Sequence, residues 1–458
     1  MINVKTKVML ALVSASYGAT ATEPLDGVWK SQGWGLVYEI RAAALQAFEV
    51  TSTTCVPGFK AQRQRREAGD DAFRTREGEV FAFIADIDSD HKRVVHPTGL
   101  TSIVIERMAA LPTTCTPPTP NTPLGNFEVF ERTFAEHYIS FDFRHTDWDR
   151  IAAEARAKIS SRTTQSQVFE ILKRMIQPLA DIHTGLDARK PKLNFDPSLR
   201  PGTDRIVHGN IDRFAKIGRR QLAAITNKSY LHGQLLSFCR GEWQYGVADS
   251  GIGYLRILSF GDYSHGGFDS DLKALNDALD RILGDGDLRG LVIDLRLSFG
   301  GDDRLGLAIA ARLTSAEYMA YAIQARSDAA VRNRYTPLQP VMVRPGKGPI
   351  FGGPIVELIG PITMSAAETF TQALMERTPH VTRIGENTQG VFCDPLGRHL
   401  PNGWTFGLPN AVYRSSDGNA FDVTGLSPDI PVPVFADEDV AAGRDPGMAA
   451  AMQALGKR

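Results

Sequence analysis

Leu291-Val292-Ile293-Asp294-Leu295-Arg296-Leu297-Ser298-Phe299-Gly300-Gly301 is the stretch whose reading decides the fold. Its apolar run is too short for a helix and ends in paired glycines, so it reads as a buried strand stopping in a tight turn. Strands covered on both faces belong to sheets flanked by helices, and the neighbouring sequence alternates accordingly. Ile252 to Phe260 reads as a preceding strand. Phe268, Leu272, Leu275, Leu279, Ile282 and Leu283 then recur at helical spacing, with Asp269 as a candidate N-cap. Beyond the glycines, Leu305, Ile309 and Leu313 mark a second helix. Pro354 to Ile359 is another strand, which runs through Thr363-Met364-Ser365 into a helix over Ala366 to Arg377, and short strands follow near 381–385 and 404–414. This alternation predicts an α/β core within residues 187–458. Residues 187–245 are mixed and polar and show no clear period.

Upstream the period changes. Phe127, Phe130, Phe134, Tyr138 and Phe141 recur at helical spacing, as do Trp148, Ile151, Ala155 and Ile159. Val168, Ile171, Leu172, Met175, Ile176 and Leu179 make a third apolar face. Residues 126–186 are therefore expected to be helical. Before them, Pro112, Pro117, Pro118, Pro120 and Pro123 lie among Thr and Asn, a composition that cannot continue a helix or central strand. Residues 112–125 read as a linker. Short alternating runs at Leu36–Ile40, Ala47–Val50, Val80–Ile84 and Ile103–Ile105 predict a small β-rich domain over 22–111, of barrel or sandwich size.

Residues 1–21 read as a signal peptide: Lys5 and Lys7, an apolar stretch from Val8 to Ala15, then Ala19-Thr20-Ala21 as a cleavage site. The expectation is an exported protein, periplasmic or secreted, with no membrane span. The 458 residues allow two to four domains at roughly 100–200 residues each. Lys and Arg (51) balance Asp and Glu (52), so no electrostatic footprint for nucleic acid exists at whole-chain level. Arg63-Gln64-Arg65-Arg66 is too short to supply one and reads as a solvated loop face. Export permits disulfides between the four cysteines, and pairing within regions would give Cys55–Cys115 and Cys239–Cys393. No CxxC, HExxH or other metal-ligand spacing occurs.

Ser365 sits where a strand gives way to a helix, beside unpaired amides and the positive end of the helix dipole. Such a hydroxyl is either an ordinary N-cap or a nucleophile placed next to an oxyanion site. The glycine pair at 300–301 lets backbone amides approach a ligand at the end of a buried strand. There is no GxSxG elbow, which argues against an α/β-hydrolase.

Seven short stretches occur together in one order. They are Leu179-Ala180-Asp181-Ile182-His183-Thr184, Gly253-Tyr254-Leu255-Arg256-Ile257, Leu291 through Gly301, Thr363-Met364-Ser365-Ala366-Ala367-Glu368, Gly385-Glu386-Asn387-Thr388-Gln389-Gly390, Leu400-Pro401-Asn402-Gly403 and Gly425-Leu426-Ser427-Pro428-Asp429. With them, residues 126–435 resemble the S41 serine peptidases, the family of the carboxy-terminal processing proteases and the tricorn core protease. The resemblance implies a crotonase/ClpP-like α/β core and Ser365 as nucleophile. The processing proteases use a lysine directly after the glycine of the Gly-Glu-x-Thr-x-Gly motif. Here that position is Val391, which cannot accept a proton, and the only later lysine is Lys457. The tricorn-like branch instead implies His183 as base and an acid just before Gly425, which here is Asp422, where that branch has Glu.

Asp181 and Glu368 are rival acids, His399 and His380 rival bases, and Ser298 a rival nucleophile. For the oxyanion the resemblance implies the amide of Gly300 or Gly301 together with that of Ala366. Residues 187–250 are too few for the PDZ domain of the processing proteases. The expectation is an exported serine endopeptidase acting on peptide or protein substrates without metal or organic cofactor. The alternatives are a non-catalytic carrier of apolar ligands on the same core and an esterase-type hydrolase.

Overall fold

A computed structural model describes residues 25–456, apart from 65–70, 87, 89, 97–98, 190–191, 196–199, 210–213, 215–217, 232–234, 249, 285, 287, 328–330 and 332. The expected signal peptide, Arg65, Arg66 and Lys457 lie outside the described residues.

Eight antiparallel strands, from Gly27–Ser31 to Ser102–Met108, pair in sequence order and close on themselves, the first bonding the last with Val28 opposite Met108. The alternation seen in the sequence fills this barrel: Tyr38, Leu45, Ala47, Ala61, Phe73, Phe81, Phe83, Ile103 and Ile105 share one buried interior. Cys55, opening the fourth strand, is bonded to Cys115 with Cα atoms 5.0 Å apart. The proline segment is thus stapled to the barrel, and it ends earlier than expected. Helix α1 (Pro123–His137) begins at Pro123, with Thr122 as its cap accepting from Gly125 N at 3.0 Å. Proline is at home in a first turn because its missing N–H has no partner there anyway.

Helices α2 (Trp148–Arg156) and α3 (Gln165–Ile176) follow, capped by Asp147 and Thr164. Their aromatic faces meet in a cluster in which Phe134 and Trp148 ring centroids are 5.2 Å apart and Phe130 and Phe406 4.9 Å. The helical segment is thereby fixed to the strand Thr405–Pro409 of the core.

A seven-stranded sheet forms the core. Its order is Leu236–Phe238, Trp243–Val247, Ile252–Ile257, Gly290–Asp294, Ile355–Ile359, Thr382–Gly385, Ile430–Pro431, and the last five strands run parallel. Helices Phe268–Leu283, Asp303–Ala311 and Ala366–Leu374 pack on one face, and Pro446–Gly456 covers the other. Asp269 is not the N-cap of its helix. Gly267 is, at φ +79°, and Asp269 lies in the first turn, where its charge still meets the positive end of the dipole. The expected Cys239–Cys393 disulfide is absent: both thiols are free and buried. Cys239 opens a short turn beside the antiparallel edge of the sheet, whereas Cys393 is fixed by Ala411 N at 3.3 Å. Among the described residues no helix is long and apolar enough to cross a membrane.

Glu357, on the central strand Ile355–Ile359, is fully buried, and neither carboxyl oxygen has a partner; Thr371 Oγ1 bonds Ala367 O instead. Burial pushes its pKa up to about 8. The folded state therefore binds a proton that the unfolded chain releases near ~4.3, and stability falls as pH rises between those values. Glu368 and Asp422, raised in the same way, add to the slope. Glu357→Gln is expected to flatten part of it in urea denaturation at about pH 5, 7 and 9. An unchanged slope would show that this carboxyl is ionised throughout.

Candidate active site

Strand Ile355–Ile359 ends in a turn closed by Gly360 N, which donates to Thr363 Oγ1 at 3.0 Å; that hydroxyl in turn donates to Leu295 O at 2.9 Å. The chain then enters the helix Ala366–Leu374 through Ser365 at φ +54°, ψ −126°. Ordinary caps in this chain look different. Thr122 sits at φ −123°, ψ 163° and Thr164 at φ −74°, ψ 161°. A side-chain-bearing residue at positive φ costs on the order of 1–3 kcal/mol and persists only where its surroundings hold it. Glu368 does so. Its buried carboxylate accepts from Ser365 N at 3.2 Å, Thr388 Oγ1 at 2.5 Å, Gly390 N at 2.6 Å and Val391 N at 2.8 Å. Burial lifts its pKa to about 7 against the pull of these four donors. Glu368 is thus a tie between the Ser365 turn and the Gly385–Gly390 motif, and Val391 takes part through its backbone.

The two glycines separate cleanly. A Cβ on Gly300 (φ +84°) would lie 2.7 Å from Ser365 Cβ and 2.8 Å from Ala366 N. One on Gly301 would lie 2.3 Å from Phe260 O, away from the serine. Among the described residues, neither the Gly300 nor the Ala366 amide donates to another group.

His183 lies in the turn between α3 and strand Gly185–Ala188. Asp181 shapes this turn by accepting from His183 N at 3.0 Å and Tyr138 Oη at 2.8 Å, with Arg144 at 3.3 Å. The imidazole faces the Cys393 backbone, and its pKa falls below the ordinary 6.5 because burial opposes the imidazolium more than Asp181 and that carbonyl favour it. Its Nδ1 is buried without a partner. Asp422 is likewise buried with Oδ2 unpartnered, and burial, with Asp181 and Glu368 nearby, pushes its pKa up to about 7. Among the described residues no hydrogen bond joins His183 to Ser365 or to Asp422.

The rivals are placed elsewhere. His399 bonds Glu49 of the barrel at 2.7 Å, and His380 bonds Asp429 on the surface at 3.4 Å. Ser298 is fully buried, with no partner for its hydroxyl. Three contributors were not legible beforehand. Arg144 and Cys393 reach the site only through the tertiary fold. Arg200 donates to Thr388 O at 2.9 Å and Gln389 O at 2.7 Å, and no local pattern marks it.

A strained serine opening a helix beside a glycine turn, with the Gly300 and Ala366 amides free among the described residues, is an arrangement that can hold a negative oxygen. Residues 251–432 match the model of Peptidase family S41. The match covers the α/β core and supports a serine peptidase. Among solved structures, it is similar to a protein described as a peptidase from Parabacteroides merdae ATCC 43184. That match has a TM-score of 0.58 and 24% identity over 73% of this chain and 97% of the other. Mature CPAF matches at a TM-score of 0.51 and 13% identity over 73% and 96%. At these identities the structural likeness concerns the fold. No curated protein matches the sequence.

Proposed function

We propose that the protein is an exported serine endopeptidase in which Ser365 is the nucleophile, His183 the base and Asp422 its orienting acid. The observation that carries this reading is a pair of buried atoms without partners, His183 Nδ1 and Asp422 Oδ2, on residues that share Asp181 as a charged neighbour, Asp422 also lying near the Glu368 that accepts from the N–H of the strained Ser365. A buried polar atom is costly to leave unpaired, and a carboxylate on the imidazole Nδ1 is the partner this chemistry requires. Ser365 Oγ attacks the peptide carbonyl carbon as its proton passes to the imidazole. The negative oxygen of the tetrahedral intermediate lies against the Gly300 and Ala366 amides. The imidazolium then protonates the departing amine, leaving an acyl-serine that water, deprotonated by His183, hydrolyses. Of the two glycines, the one beside Ser365 is assigned the oxyanion role. Export is supported by the Cys55–Cys115 bond, which needs an oxidising compartment.

A fluorophosphonate probe tests the nucleophile: labelling is expected in the natural enzyme and lost in Ser365→Ala. A panel of peptide and ester substrates then separates peptidase from esterase. Because the base works only when neutral and burial lowers its pKa, the acid limb of kcat/KM should lie below pH 6.5. A limb above that value would point to a base other than His183.

A further inference from the structure

A cleft of about 930 Å³ separates α2 from α3, and nothing in the proposed chemistry uses it. Its floor is apolar, formed by Ile151, Ala155, Ile171 and Met175. Along its walls the charges divide unequally. The carboxylates are engaged, Glu154 with Arg150 at 2.6 Å and Glu170 with Lys173 at 3.6 Å, while Asp147 caps α2 by accepting from Arg150 N at 3.0 Å. Lys158, Arg162 and Arg174 are exposed, and none has an ion-pair partner among the described residues. The unneutralised charge of the cleft is therefore positive, above a floor suited to apolar side chains.

Arg144 links one end of this cleft to the turn that carries His183. It lines the cleft and donates to Leu179 O at 2.6 Å and Ala180 O at 3.0 Å, and it contacts Asp181 in that turn. Phe143, 51% exposed, stands beside it on the same loop. The twelve residues of α3 span roughly 18 Å, the length of about five residues of extended peptide.

We infer that the α2–α3 cleft is a substrate exosite that takes an acidic, extended stretch of the polypeptide being cut, with apolar side chains down and carboxylates toward Lys158, Arg162 and Arg174. This rests on the peptidase reading above, since it names the substrate class of that same site. The cleft supplies affinity and orientation, and the bond is cut at Ser365.

Binding is measured by fluorescence polarisation on full-length Ser365→Ala protein, with labelled ten-residue peptides alternating Leu with Glu, Gln or Lys. The Glu peptide is expected to bind about tenfold tighter than the Gln peptide, roughly what three exposed ion pairs supply, and to weaken as salt rises. Joint Lys158→Glu, Arg162→Glu and Arg174→Glu should abolish the preference, and the matching Gln variants should halve it or more. In the active enzyme the same variants should raise KM for the acidic peptide about tenfold at unchanged kcat, leaving a short neutral peptide unaffected. Equal binding of the three peptides, no response to charge reversal, or an oligothymidylate that outcompetes the Glu peptide would each overturn the exosite. Failure of the peptidase reading is separate: it shows as absence of Ser365 labelling and does not alter the polarisation result.

Discussion

Ser365→Ala and His183→Ala should each lower kcat/KM by about 10³–10⁶, and the double variant should be scarcely slower than either single one. The reason is mutual dependence. A serine hydroxyl attacks poorly unless a neighbour takes its proton, and an imidazole without that hydroxyl has nothing to activate. The strained backbone supplies a second readout. Were Ser365 only a cap, Ser365→Ala would cost about 1 kcal/mol of stability and little else. At φ +54° the residue is instead held against its own preference, so Ser365→Gly should be at least as stable as the natural protein while being inactive. Additive losses in the double variant would mean that the two side chains do not act as a unit.

Gly300→Ala is the second large effect. Its methyl would be forced to within 2.6 Å of Met364 O, 2.7 Å of Ser365 Cβ and 2.8 Å of Ala366 N, a clash with the nucleophile's own turn that displaces the serine and one amide of the oxyanion site together. A displacement near 1 Å in such a site costs about 10²-fold, and loss of a donor a similar factor, so a fall of 10² or more in labelling rate is expected. Gly301→Ala is the contrast. Its methyl meets the carbonyl oxygen of Phe260 at 2.3 Å, a backbone clash where the two segments bridge, so it should act mainly on thermal stability. If both variants lost stability equally and labelled at the same rate, the division of labour between the glycines would be wrong.

What the sequence made readable was local. Strand, glycine turn and serine before a helix lie within short windows, and hydrophobic period exposes them directly. Four of the eight barrel strands were visible for the same reason; Gly27–Ser31, Cys55–Gln64, Asp71–Thr75 and His91–Val95 were not, and closure of the first on Ser102–Met108 joins segments far apart in the chain. Pairing of Cys239 with Cys393 could not be judged from spacing, because it depends on how two distant loops approach. Glu368 stood as a possible acid for the imidazole; its four donors, three of them from residues 388–391, show it holding loops together instead. Arg144 and Cys393 flank His183 only after the helical segment packs on the core, so no window of sequence contains them both.

The seam between the first and eighth barrel strands carries one further consequence. Every strand there has neighbours on both sides, so among its described residues this domain offers no open backbone edge onto which a foreign segment could add itself as a ninth strand. Any molecule it recognises must be read by protruding side chains or by its two rims, and the domain is guarded against the edge-to-edge polymerisation that threatens open β-sheets.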